Sequence, residues 1–168
     1  MRIPRLNLLV IPLLLVCTIP NSAQSQPNPF LSRLEGNWQG EGKAFGMTAK
    51  LHIKWEWVLN KKFLRLTIKN EMTRTSGPQM FEGQAYYHAI AADKFEAQWF
   101  DSRGVTFPIK GHLEGDSLIA MWGSPDKEEG KSIYRLVDDS TLEVVDLVKQ
   151  KDGTFREFGR TTLKRQSS

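Results

Sequence analysis

The sequence predicts an all-β protein, a single antiparallel up-and-down barrel of about ten strands preceded by a short helical turn. Three observations predict it. From Asn37 onward apolar and polar residues alternate with a period of two in segment after segment, and no window sustains a helical period. Clusters of Gly, Asp, Asn and Ser separate those segments. Every connection is also too short for a parallel crossover, so neighbours in sequence must pair antiparallel. A flat meander of that many strands would leave two long unpaired edges; closure into a barrel removes them, and splitting into a sandwich is the alternative.

The chain opens with Arg2 and Arg5, an apolar run from Leu6 to Ile19, and the small residues Ala23 and Ser25 ahead of Gln26. That order is expected of an export signal, residues 1–25, cleaved after Ser25. The apolar run, about 14 residues broken by Pro12, falls short of the roughly 20 that span a bilayer. The only cysteine, Cys17, lies inside it and follows Val16, where a lipid-attachment motif wants a small residue. The expected mature protein is secreted or periplasmic, without thiol, disulfide or stable membrane insertion. Lysine and arginine number 23 against 19 acidic residues, and loss of Arg2 and Arg5 lowers the formal charge of +4 by two. The remaining basic residues are scattered and form no stripe for a phosphate backbone, so nucleic-acid binding has no support.

Residues 26–35 read as a linker and a short helical turn, with Asn28 as N-cap and Pro29 at the first position. Residues 36–165 form the barrel domain. A first strand surrounds Trp38. The clearest alternation follows, with Leu51, Ile53, Trp55, Trp57 and Leu59 on one face; Asn60 and Lys61 turn the chain into a partner bearing Leu64, Leu66 and Ile68. Further strands are expected over Met80–Ile90, Lys94–Phe100, Val105–Leu113, Ser117–Trp122, Ser132–Val137, Thr141–Lys149 and Thr154–Lys164, with a turn from Pro125 to Gly130.

Gly36-Asn37-Trp38 has the G-x-W form found where lipocalins enter their first strand. Gly36 permits the bend and Trp38 closes one end of the barrel, under a basic side chain from the last strand for which Arg160 and Lys164 are candidates. With Gly40, Trp55-Glu56-Trp57, Phe81-Glu82-Gly83, the Trp99-to-Gly104 turn and the hairpin Gly111 to Leu118, the mature chain resembles the bacterial family known as domain of unknown function 1579. The resemblance implies a lipocalin-like, calycin-type barrel, often exported, and no activity. Tyr86-Tyr87-His88 departs from it where such proteins often carry Gly-Tyr-Asp. Haem-binding barrels of the nitrobindin type share the G-x-W-x-G opening, but their proximal histidine lies on a late strand and residues 132–168 contain none.

No catalytic residue and no cofactor are expected. Asp101 or Ser102 accepts backbone bonds within its turn and Gly104 takes a positive φ; Ser102 has neither a nearby base nor a nucleophile-elbow motif. His52, His88 and His112 are unpaired at any metal-ligand spacing, so no metal is expected. Five tryptophans in so short a chain point either to a packed core or to an aromatic cavity. In the cavity reading Trp55, Trp57, Tyr87, Trp99 and Trp122 are walls and His88 or Arg135 the polar anchor, Arg135 being placed inward by alternation with Ile133 and Val137. Three functions remain open: a binding module for a small, mostly apolar ligand; a solid barrel acting through its surface in the cell envelope; or an isomerase or hydrolase in which Asp101, Arg103 and His88 converge. A monomer or a homodimer fits each of them.

Overall fold

The computed structural model describes residues 28–75 and 77–167, so the export signal and the first residues of the linker lie outside the described residues. Among the described residues one helix, α1 (Pro29–Leu34), is followed by ten strands. These are β1 (Gly36–Ala44), β2 (Met47–Val58), β3 (Phe63–Arg74), β4 (Gly77–Ala89) and β5 (Lys94–Asp101), then β6 (Thr106–Glu114), β7 (Ser117–Gly123), β8 (Glu129–Asp138), β9 (Thr141–Lys149) and β10 (Phe155–Arg165). Each strand pairs antiparallel with its sequence neighbours, and β1 pairs with β10 to close the barrel.

Closure depends on local chemistry at that seam. A Cβ on Gly40 would lie 2.1 Å from the Thr162 carbonyl oxygen, and one on Gly42 2.2 Å from that of Arg160, so β1 approaches β10 only because both positions lack side chains. Inward faces follow the alternation: Leu51, Ile53 and Trp55 on β2, Leu64 and Leu66 on β3, Leu142 and Val144 on β9 are all buried.

Helix α1 plugs one end. The Asn28 side chain accepts the Phe30 N–H at 2.9 Å, a cap placed just before Pro29, whose missing N–H costs a first turn nothing. Phe30, Leu31 and Leu34 point into the barrel, and Arg33 ties the helix to the β6–β7 and β8–β9 turns through Asp116 and Asp139 at 3.0 and 3.1 Å. Beneath α1, Trp38 donates from Nε1 to the Leu34 carbonyl at 2.8 Å, and a guanidinium lies 4.1 Å from its ring centroid. That guanidinium belongs to Arg165, not to Arg160 or Lys164, which point outward and bond Glu157 and Thr141.

Three local expectations need correction. Leu59 does not continue the inward face of β2; with Asn60 and Lys61 it takes a positive φ and is exposed in the turn. Strand β8 begins at Glu129, so Gly130 is a strand residue: a side chain there would strike Trp122, 2.1 Å from Cζ2. On the same strand Ser132, Tyr134 and Leu136 face inward and Arg135 outward. The apolar pair Ile133 and Val137 mimics a core face, but the stripe carrying Tyr134 and Leu136 is the one the barrel buries.

Candidate functional site

The barrel is not solid. Packed side chains fill the α1 end, where Trp55 meets Tyr87 and Tyr134 with ring centroids 5.4 and 5.2 Å apart. Between that floor and the turns of the opposite end lies a cavity of about 740 Å³. Ala44, Ala49 and Met72 form a second small apolar cluster near its mouth.

Tyr87, Trp99, Phe107, Trp122 and Tyr134 supply aromatic surface, and Ile68, Ile109, Val144 and Val148 aliphatic surface. Two tryptophans are held in place from both sides. Trp99 packs over Gly83, where a Cβ would sit 2.2 Å from the indole, and donates from Nε1 to Asp101 Oδ2 at 2.9 Å. Trp122 packs over Gly130 and donates from Nε1 to Ser132 Oγ at 3.3 Å. Glycine facing an indole across a strand pair leaves room for the ring to lie flat on the sheet.

The carboxylate of Asp146 faces this apolar interior. Asp146 follows Leu142 and Val144 on the inward face of β9, and its Oδ1 accepts the Ser132 hydroxyl at 2.5 Å. Asp146 is half-buried, and the surface it retains is turned to the cavity. Burial pushes it up to about 6, and the Ser132 hydroxyl offsets only part of that rise. The Tyr134 phenol is raised well above its ordinary range by burial, then by Tyr87 and Asp146; that of Tyr87 is raised by burial and by Asp146. At neutral pH both tyrosines are uncharged.

The mouth is built differently. Arg74 and Arg156 stand at the ends of the inward faces of β3 and β10 and, among the described residues, form no ion pair. Arg103 is tied to Asp101 at 2.8 Å and to Glu128 at 3.2 Å. Asp101 also accepts the Arg103 backbone N–H at 2.9 Å, and Gly104 completes the turn at φ 77°. Burial works to raise the Asp101 carboxyl, but the bonds from Arg103 and Trp99 outweigh it and hold the group below the usual carboxylate range.

Of the residues singled out from sequence, Tyr87, Trp99 and Trp122 line the cavity. Trp55 forms its floor, its Nε1 buried without an acceptor among the described residues, and Trp57 packs against the core. Gly36, at φ 128°, makes the bend into β1. Arg135 and His88 lie outside. Arg135 is an outer-surface residue paired with Glu143 at 2.8 Å, and exposed His88 rests against Phe63, ring centroids 5.3 Å apart, near the plugged end. The convergence of His88 with Asp101 and Arg103 therefore does not occur. Asp146, Ser132, Tyr134 and Asn70 were missed, although β9 carried a signal: Leu142, Val144 and Val148 alternate with a single acidic residue in phase. Among the described residues no group of three or more His, Cys, Asp or Glu side chains is arranged to hold a metal, and no helix is long and apolar enough to cross a membrane.

This architecture defines a lipocalin-like barrel with an internal aromatic cavity. The chain is similar in structure to Rv2717c from M. tuberculosis, at a TM-score of 0.63 and 19% identity over 83% of this chain and 98% of that one. It is also similar to the S-type phycobiliprotein lyase CPES from Guillardia theta, at a TM-score of 0.61 and 10% identity over 83% and 92%. No protein-family model and no curated protein matches the sequence.

Proposed function

We propose that this protein is an exported binding protein, of the kind its motifs liken to domain of unknown function 1579, that takes a small, mostly apolar molecule into its barrel. The observation that carries the reading is the cavity of about 740 Å³ between a packed floor and the mouth, large enough for a compact organic ligand and walled by aromatic and aliphatic side chains. Side chains held from both sides, such as Trp99 and Trp122, lose little freedom when a ligand arrives, which favours affinity. A barrel working solely through its outer surface would gain nothing from an internal cavity lined by ordered rings, since forgoing side-chain packing there costs stability.

The test is native mass spectrometry of protein purified from its own cell envelope, with titration of an environment-sensitive apolar dye. Retained small-molecule mass and saturable dye binding are expected, the dye binding being lost in Ala120→Phe, which fills the cavity from β7. Dye affinity unchanged by Ala120→Phe, in a variant that still folds, refutes an interior site. Export is tested separately: the mature chain is expected to begin at Gln26, and an intact mass that retains residues 1–25 refutes it.

A further inference from the structure

In and behind the cavity wall lie hydrogen-bond acceptors that lack donors among the described residues. Asp146 Oδ1 is taken by Ser132, which in turn is held by Trp122, but Oδ2 has no partner among the described residues and no described Lys or Arg forms an ion pair with it. Its cross-strand neighbour on β10 is Gly159, where a Cβ would lie 3.4 Å from Oδ2; without one, that oxygen stays uncovered. Asn70, on the inward face of β3, has its Oδ1 buried without a donor among the described residues. Buried acceptors in apolar surroundings are costly until something donates to them, and a carboxylate more so than an amide.

The walls restrict the shape of such a donor. Phe81 stacks with Trp99 at 6.4 Å and 20°, and Phe107 lies 6.0 Å from Trp122, so flat ring faces line the cavity. Rings of that kind favour a planar π-system offset against them. The mouth restricts its charge: Arg74 and Arg156 at the rim form no ion pair among the described residues, and like-charge repulsion from them disfavours a permanent cation on approach.

We infer that the barrel binds a planar aromatic compound bearing a neutral N–H group, which donates to the uncovered Oδ2 of Asp146 while its ring lies against Trp99 and Trp122. The inference rests on the ligand-binding reading above and adds the chemical class of the ligand. A carboxylate accepting from N–H makes a charge-assisted bond, stronger than one between neutral groups.

Carbazole, N-methylcarbazole and fluorene share nearly one shape, and only carbazole has the donor. Titration of each into the full mature protein, read by ligand fluorescence or calorimetry, is expected to show carbazole binding at least about tenfold more tightly than the other two. In Asp146→Leu that preference is expected to vanish through weaker carbazole binding, with N-methylcarbazole unchanged. Equal affinity of the wild type for all three overturns the N–H donor and leaves the cavity reading standing. Absence of binding by any of them overturns both. A preference that persists in a folded Asp146→Leu protein overturns the assignment to Asp146, and the wild-type comparison decides the matter alone if that variant does not fold.

Discussion

At the residue scale, Asp146 sets the interior apart from an ordinary hydrophobic core. Its folded-state value of about 6 lies above the ordinary 3.8, so between the two the native state binds more protons than the unfolded chain. Stability contributed by the protonated group is present below the ordinary value and is lost as pH rises toward and through the folded one. The loss amounts to up to about 3 kcal/mol from the size of the shift. Urea denaturation of wild type and Asp146→Asn is therefore expected to show the variant more stable at about pH 8, the gap closing below about pH 4; a gap independent of pH contradicts this. Comparing the two proteins removes the opposite trend of Asp101 and Glu56, whose carboxyls sit low and lose their bonds in acid. Gly130 is the second decisive residue. Gly130→Ala is expected to displace Trp122, destabilising by about 1–3 kcal/mol, with a shifted tryptophan emission. An unshifted emission and unchanged melting point would mean that the ring does not lie on the glycine.

At the element scale, α1 is too short to be stable as an isolated helix, and its fixed position comes from what it plugs. Phe30, Leu31 and Leu34 are buried under the barrel end, and Arg165 joins the last strand to the helix by donating to the carbonyls of Arg33 and Glu35. Leu34→Ala is expected to cost about 2–5 kcal/mol, measured by chemical denaturation, as fits a side chain with no exposed surface. A cost below about 1 kcal/mol would show the plug to be dispensable. Strand type and order were legible because period-two alternation and Gly- and Asp-rich turns act locally. The phase of β8 was not: its two faces are both partly apolar, and only pairing with β7 and β9 decides that Ser132 and Tyr134 go inside and Arg135 outside.

At the scale of the whole molecule, nine pairings join strands adjacent in sequence, while the tenth, β1 with β10, joins the ends of the domain. That last pairing must order the most chain and depends on the bare backbones of Gly40 and Gly42. Gly40→Val is expected to weaken the seam, seen as faster hydrogen exchange across β1 and β10 than across β3 and β4; uniform exchange would show that the seam tolerates a side chain there. Closure also sorts the aromatic residues. Trp38 and Trp55 become packing at the plugged end, whereas Trp99 and Trp122 become cavity wall, a division that depends on which turns gather at which end.

By itself the sequence determined the strands, their order and the presence of an aromatic interior, because alternation, turn chemistry and short connections are properties of neighbouring residues. Only the tertiary structure decided that the interior holds a cavity, that Asp146 faces it with no ion pair among the described residues, and that His88 and Arg135 stay outside. Those facts arise from register and closure, which bring together side chains from opposite walls of the barrel, and no local pattern along the chain encodes the distance across it.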